Sequence, residues 1–337
     1  MMGTPKDVLP LASVYMRIYF SGIVFTIVYN FCTAILRAAG DTKTPLYFLM
    51  IAGALNVALN VFFVAVCKLD VAGVAIATIL SQAVSATLVI IVLSRRTDAC
   101  KLILKKMRIH KKPFADILRI GLPAGIQSSL FSISNVINSA ALNSFDSAAM
   151  ISGNGASQSI EMFTDAIGVG FTQATPNFVA QNLGAKQYGR IKKTFAICMG
   201  YAATLVFATS FIMYLFGEQL LGLYITDSPS AIAYGLTRMI FLFLPSFLMA
   251  TMTVATGALQ GLGHSMTATI ITLIGACGLR IVWIYTVFKI PAYHTLSCLY
   301  LVYPISWIIT TAAQTVLFFV FLKRIIRKDT CMSQVTT

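Results

Sequence analysis

Residues 95–119 read RRTDACKLILKKMRIHKKPFADILR and hold nine lysine or arginine residues between two long apolar tracts. In a chain with 58% hydrophobic residues, a basic segment of this size is the strongest orientation signal in the sequence. Lysine and arginine near the ends of membrane-spanning helices are retained on the cytoplasmic side. The segment is therefore predicted to be a cytoplasmic connection that includes an amphipathic interfacial helix around Leu102 to Ile109. It fixes the direction of the helices on either side of it.

The composition excludes a soluble domain. Only 11% of the 337 residues are charged, against about 25% in soluble domains. The net charge of +14 comes from basic residues at the edges of apolar tracts, which argues against a nucleic-acid partner and for a lipid bilayer. The seven cysteines form no CxxC pair and no histidine lies at ligand spacing, so neither a metal, a cofactor nor a disulfide framework is predicted.

Segments of about 20 apolar residues span a bilayer. The sequence predicts an all-α multipass membrane protein with nine such helices, near residues 10–36, 45–67, 71–93, 117–142, 152–179, 192–216, 232–258, 266–289 and 297–322. This division places nineteen of the 25 basic residues, and the C-terminus, in the cytoplasm. Residues 1–94 and 117–325 are predicted to form two bundles, joined by a basic linker at 95–116 and followed by a cytoplasmic tail at 326–337.

An internal repeat relates the two ends of the chain. LRAAGDTKTP at 36–45 and LQGLGHSMTA at 259–268 lie 223 residues apart, and each ends a long helix and opens a shorter one. Pro5 and Arg17 match Pro229 and Arg238 loosely, at about the same spacing. Helices one to three are therefore expected to be equivalent to helices seven to nine, related by an axis along the membrane normal, whereas helices four to six have no partner in the chain.

Four stretches carry a resemblance to a known family. They are LRAAGDTKTP at 36–45, VAGVAIAT at 71–78, GLPAGI at 121–126 and VAQNLGA at 179–185. In this order and spacing the chain resembles the multidrug and toxin extrusion (MATE) antiporters. The resemblance implies twelve helices in two bundles, of which this chain would supply the fourth to the twelfth. Gly184 then suits a helix C-cap, Gly40 and Gly263 suit tight turns between helices, and Pro123 suits the first turns of a helix.

Two acidic residues lie inside a predicted span. Glu161 and Asp165 are four residues apart, so both lie on one face of the fifth helix, at depths of about 14 and 20 Å from its outer end. A carboxylate at membrane depth indicates function by default. Both residues are therefore candidates for proton or Na⁺ coupling, with Glu161 as the ionisable centre.

A structural role for Glu161 remains open. Arg17, Arg238 and Arg280 also fall within apolar segments, at comparable depth. Any one of them can neutralise Glu161 in a buried ion pair without a role in transport.

Polar and aromatic residues complete the predicted cavity. The candidates for its lining are Gln127, Phe131, Asn135, Asn138, Asn56 and Asn60. For each polar residue, a hydrogen bond between helices is the alternative. Phe131 stands where a subgroup of the family has a coupling carboxylate, and the first family helix, which carries an aspartate in other members, has no counterpart here.

The resemblance implies an antiporter that exchanges H⁺ or Na⁺ for small organic, often cationic, molecules across the cell membrane. Three alternatives remain: a flippase of lipid-linked precursors, a non-transporting remnant and a membrane enzyme. The enzyme is disfavoured because the predicted spans contain no cluster of histidine, cysteine and carboxylate at catalytic spacing. The oligomeric state is left open.

The orientation of the basic segment can be tested by labelling. In a chain whose seven cysteines are replaced, we expect Lys106→Cys to react with a membrane-impermeant maleimide only after the membrane is permeabilised. Lys289→Cys, which is predicted to lie outside, is the control and should react in intact cells. Labelling of Lys106→Cys from outside intact cells would overturn the whole topology.

Overall fold

The computed structural model describes residues 9–98, 100–145, 147–226 and 228–335, and each regular element in these ranges is a helix. Unit 1 (Met1–Ile109) and unit 2 (His110–Thr337) are separate compact units. Asp7, Asp146 and Asp227, and Pro5 of the proposed repeat, lie outside the described residues.

Unit 1 consists of α1 (Leu9–Ser21), α2 (Ile23–Ala38), α3 (Lys43–Val61) and α4 (Asp70–Arg95), with a π-helical end to α3 at Phe62–Val66. Unit 2 consists of α5 (Lys111–Asn143), α6 (Ala148–Gly184), α7 (Tyr188–Leu215), α8 (Gly217–Gly222), α9 (Pro229–Arg238), α10 (Ser246–Gly261), α11 (Ser265–Thr272), α12 (Leu279–Tyr285) and α13 (Leu296–Val335). Short π-helical stretches join α9 to α10 at Met239–Phe243 and α11 to α12 at Leu273–Gly278.

The nine predicted spans all fall on helices. Within the described ranges, seven helical segments are long and apolar enough to cross a membrane, and α1 with α2, bent by 47°, makes an eighth. The ninth, α6, is long enough at 37 residues but is less apolar than the other eight. Its serine, threonine, asparagine and glutamine residues, with Glu161 and Asp165, lower its hydropathy. The multipass all-α fold is confirmed.

The surface is apolar and several interior contacts are polar, as in a protein that faces lipid. Met50, Val57 and Ile274 are more than 60% exposed, whereas Ser157 and Gln314 are fully buried. Lipid chains are as apolar as leucine, so helices in a bilayer associate by close packing and hydrogen bonds and leave large apolar side chains outside.

The start of α5 corrects three expectations. The helix begins at Lys111 and not near 117, so Lys111 and Lys112 belong to it and not to the connection. Pro113 is its third residue, where the missing N–H removes no helical hydrogen bond. Pro123 therefore lies in the helix interior and not in its first turns. The amphipathic helix that the sequence suggested between Leu102 and Ile109 is only a 3₁₀ turn at Leu104–Lys106.

The same turn closes both copies of the repeat. Gly40 and Gly263 have φ angles of +87° and +84°, and the next residues, Asp41 and His264, donate their N–H groups to Leu36 and Leu259 over 2.9 Å. This is the Schellman arrangement, in which a left-handed residue satisfies the last carbonyls of a helix. The preceding helices, α2 and α10, each have 16 residues and begin and end 223 residues apart.

The end of α6 uses the same turn with another residue. Gly184 was predicted as the C-cap, but the helix ends at Gly184 and the left-handed residue is Lys186, with a φ of +56°. Gln187 donates its N–H to Asn182 to close the turn. The C-cap is Ala185, so the Gly184 prediction was wrong by one position, because a glycine near a helix end does not by itself fix the register of the cap.

Asp41 caps the start of α3. Its two carboxylate oxygens accept hydrogen bonds from the backbone N–H and the hydroxyl of Thr44, at 3.1 and 2.8 Å, and Arg96 lies 3.4 Å away. Partial burial acts to raise the pKa of Asp41, but the bonds from Thr44 and the charge of Arg96 outweigh it and hold the pKa below its usual range.

The positive φ angle at the glycine of each turn leads to a prediction about stability. We expect Gly263→Ala to lower the free energy of unfolding by about 1 kcal/mol, because a residue with a Cβ is strained at positive φ. Gly263→Asn should cost less, since asparagine tolerates this conformation. Thermal unfolding in detergent measures both.

Gly200→Ala is the control for that measurement. Gly200 lies inside α7 with open space around it, so the substitution should be neutral or stabilising. An unfolding midpoint of Gly263→Ala equal to that of wild type would contradict the role of the turn.

Candidate functional site

The inner face of α6 carries the two membrane carboxylates. Gly153, Ser157, Glu161 and Thr164 are buried along this helix at intervals of three or four residues, so they share one face. Asp165 follows Glu161 by one turn and is partly buried. The sequence prediction that Glu161 and Asp165 lie on the same side of the helix agrees with this placement.

Glu161 forms a buried ion pair with Arg238 of α9. Nη2 of Arg238 lies 2.6 Å from Oε2 of Glu161, and Nη1 donates to the hydroxyl of Ser157 over 3.3 Å. The exposed fractions of Glu161 and Arg238 are 8% and 6%. Of the three arginines considered as partners, Arg238 is the one that pairs with Glu161. Removal of either member of such a pair leaves an uncompensated buried charge and costs about 3–5 kcal/mol.

Two glycines bring α6 and α9 close enough for this pair. A Cβ at Gly153 would collide with the backbone of Ala231 and Gly235, and a Cβ at Gly235 would lie 3.1 Å from the carbonyl oxygen of Gly153. Small residues allow helix backbones to approach closely in a membrane. Glu161 lies about two turns beyond Gly153, and Arg238 one turn beyond Gly235, so the close approach positions the pair.

Asp165 has no such partner. Among the described residues, none forms a hydrogen bond or an ion pair with its carboxylate. The side chain lines the same cavity as Glu161 and Arg238. One carboxylate of α6 is therefore neutralised, and the other is available to a cation.

A cavity of about 320 Å³ lies between α5, α6, α9, α10, α12 and α13. Of the residues predicted to line a cavity, Phe131, Asn135 and Asn138 of α5 do so. The sequence did not identify Asn154 and Gln158 of α6, nor Tyr300, Tyr303 and Trp307 of α13, which also line it. The three aromatic residues of α13 recur at intervals of three and four residues. This pattern places them on one face of the helix, but it does not show that the face lines a cavity.

Arg280 of α12 is the second positively charged residue in the cavity wall. Its guanidinium carbon lies 4.1 Å from the centre of the Tyr303 ring, 5.6 Å from that of Phe131 and 5.9 Å from that of Trp307. Its Nε donates to the hydroxyl of Ser306 over 3.3 Å. Only 2% of Arg280 is exposed. The aromatic rings thus surround a buried cation.

The other predicted site residues lie elsewhere. Gln127 accepts a hydrogen bond from Thr269 of α11 over 3.1 Å. In unit 1, Asn56 donates to Ser81 of α4 over 3.3 Å and Asn60 donates to Asn56 over 3.0 Å. The bonds of Gln127 and Asn56 match the alternative of a hydrogen bond between helices, whereas the bond of Asn60 lies within α3. Arg17 lies exposed on α1 of unit 1 and is not the partner of Glu161.

Within the described part of the chain, no three histidine, cysteine, aspartate or glutamate side chains come together in a way that would hold a metal ion. The chemistry of the cavity therefore consists of one neutralised ion pair, one unpaired carboxylate, one unpaired guanidinium and several amides.

Comparison with known proteins shows which family the chain belongs to. The sequence model of the MatE family matches residues 1–62 and 123–286, which is more than half of the chain. The probable multidrug resistance protein YpnP of Bacillus subtilis is 30% identical over 239 residues, or 70% of this chain and 52% of that protein. The multidrug export protein MepA of Staphylococcus aureus is 25% identical over 275 residues, or 81% of this chain and 60% of MepA. The chain thus spans between half and two thirds of the length of these relatives.

Two solved structures share the fold. One is the outward-facing conformation of a multidrug resistance MATE family transporter, with a TM-score of 0.88 at 19% identity over 96% of this chain and 72% of that one. The other is a MOP superfamily transporter from Pyrococcus furiosus, with a TM-score of 0.88 at 18% identity and the same coverage. The family match, together with the apolar helices and the shared fold, leads to one conclusion: this chain is a multipass membrane protein that belongs to the MatE family.

Proposed function

We propose that this chain forms the transport pathway of an antiporter that exchanges H⁺ or Na⁺ for small organic molecules across the cell membrane, with its C-terminus in the cytoplasm. Family membership supports a transporter rather than an enzyme. The names of the relatives, a multidrug resistance protein and a multidrug export protein, support drug-sized substrates. A cavity of about 320 Å³ is within the range of small-molecule sites.

The observation that carries the proposal is the contrast between the two carboxylates of α6. Arg238 already compensates Glu161, whereas Asp165 lines the cavity without an ion-pair partner among the described residues. A carboxylate in an apolar environment must be protonated, paired or bound to a cation. Asp165 therefore alternates between a proton or Na⁺ and another positive group, which is the property that antiport requires.

The pair and the amides hold Asp165 in place for this role. Glu161 is fixed by Arg238, so α6 is held against α9 and presents Asp165, one turn further along, to the cavity. Asn154 and Gln158 of α6 also line the cavity and offer amide oxygens, which hard cations such as Na⁺ accept as ligands. We therefore assign coupling to Asp165 and a fixed electrostatic role to Glu161.

The alternatives differ in what they require of the cavity. A flippase of lipid-linked precursors needs an excess of positive charge for its anionic headgroup. The cavity here contains two arginines and two carboxylates. In a non-transporting remnant an unpaired carboxylate has no function, so Asp165 would only lower the stability of the folded protein.

Coupling can be tested in proteoliposomes that contain the whole chain. We expect Asp165→Asn to abolish the part of substrate efflux that depends on a proton or sodium gradient, while the protein level and unfolding midpoint stay near wild type. Gradients of H⁺ and Na⁺ applied separately identify the ion.

Two further variants complete that experiment. Glu161→Gln leaves Arg238 without its partner and should lower the free energy of unfolding by about 3–5 kcal/mol. Glu218→Gln is the matched control, because the side chain of Glu218 is exposed on α8. It should change neither the gradient-dependent efflux nor the free energy of unfolding. Gradient-dependent efflux that is unchanged in both Asp165→Asn and Glu161→Gln would place the coupling site outside α6.

A further inference from the structure

Arg280 is charged, buried and without a carboxylate partner among the described residues. Its only hydrogen bond in this part of the chain runs from Nε to Ser306, so Nη1 and Nη2 donate to no described group. Aromatic rings attract a cation but do not accept hydrogen bonds in the plane of the guanidinium. An arginine at 2% exposure normally has an anion beside it, as Arg238 does.

Two other groups with N–H donors in the same cavity wall also lack partners. The indole Nε1 of Trp307 and both Nδ2 and Oδ1 of Asn138 are buried without a hydrogen bond in the described structure, which leaves two donors and one acceptor unpaired. Both residues line the cavity with Arg280. Buried donors are almost always satisfied in native proteins. Their concentration around Arg280 indicates a ligand group that is rich in acceptor oxygens.

The cavity thus has two unpaired charges of opposite sign. Asp165 of α6 and Arg280 of α12 both line it, and the Glu161–Arg238 pair contributes no net charge. We propose that the substrate is a small zwitterion, whose carboxylate binds Arg280 and whose ammonium binds Asp165. This inference rests on the proposed transport function and names its substrate class.

The chemistry favours this class over the alternatives. A carboxylate matches the planar fork of one guanidinium, whereas a simple cation would leave Arg280 uncompensated and a simple anion would leave Asp165 uncompensated. The remaining wall is apolar and aromatic, with Leu242, Met249 and Phe131, and suits a flat hydrocarbon body between the two charges.

Zwitterion binding also explains exchange. The ammonium of the substrate and the coupling cation require the same carboxylate of Asp165, so they bind in competition. The substrate carboxylate remains on Arg280 in either case. Competition at one charge gives antiport if the protein changes between its inward-facing and outward-facing states only when one of the two ligands is bound.

The test uses the purified whole chain and calorimetric binding of defined probes. The zwitterions are 4-(aminomethyl)benzoate and the longer 6-(aminomethyl)-2-naphthoate. For each, the methyl ester retains only the positive charge and the N-acetyl derivative only the negative charge. We expect at least one zwitterion to bind at least tenfold more tightly than both of its derivatives.

Substitutions assign the two charges separately. Arg280→Met should remove the preference over the methyl ester, and Asp165→Asn the preference over the N-acetyl derivative. Because Arg280 has no carboxylate to orphan, we expect Arg280→Met to unfold at or above the wild-type temperature, so a loss of binding is not a loss of folding. Arg190→Met, on the exposed face of α7, is the matched control and should bind like wild type.

Each outcome decides the inference. It is overturned if neither zwitterion binds more tightly than its derivatives, or if Arg280→Met leaves the preference over the ester intact. Zwitterion binding in the predicted order without gradient-dependent efflux would overturn the proposed antiport and leave the assignment of the two charges standing. Gradient-dependent efflux, combined with esters that bind as tightly as zwitterions, would overturn the substrate class alone.

Discussion

The ion pair between Glu161 and Arg238 is the interaction on which the rest of unit 2 depends. It joins α6 to α9 inside an apolar bundle, where either charge alone would cost several kcal/mol. The pair forms because Gly153 and Gly235 let the two backbones touch a short distance away. With Glu161 held in this way, the following turn of α6 presents Asp165 to the cavity. A packing constraint between two glycines thus determines where an unpaired carboxylate lies.

The two buried arginines of the cavity are stabilised in different ways. Arg238 is compensated by a carboxylate and a hydroxyl, whereas Arg280 is surrounded by the rings of Tyr303, Phe131 and Trp307. Attraction between a cation and a ring contributes about 2 kcal/mol when desolvated, which is less than burial of a charge costs. The aromatic surround therefore keeps Arg280 in position without satisfying it. In the proposed site, the first arginine has a structural role and the second binds the ligand.

The sequence predicted the features that depend on local periodicity and left open those that depend on long-range packing. The four-residue interval placed Glu161 and Asp165 on one face, and the glycines at 40 and 263 predicted the turns of the repeat. The sequence could not show that Arg238, and not Arg17 or Arg280, is the partner of Glu161. All three arginines are predicted at similar depth, and the contact between α6 and α9 is what brings Arg238 to Glu161. Trp307 and Tyr303 were missed for the same reason, since a regular aromatic face does not show which charge it surrounds. The predictions of two helix ends were wrong. The helix α5 begins two residues before Pro113 and not near residue 117, and the left-handed residue after α6 is Lys186 and not a glycine.

The turn at Gly263 has a consequence for how the protein is made. Its hydrogen bonds connect residues no more than five positions apart, so the turn needs no other part of the chain in order to form. The helices before and after it can therefore fold back on each other as soon as both have left the ribosome, and can enter the bilayer together as a hairpin. Polar groups such as Thr256 and Thr272, which both contact Gln314 in the folded protein, must wait inside this hairpin until α13 is synthesised. The polar interior of this hairpin is therefore completed only when α13 docks against it.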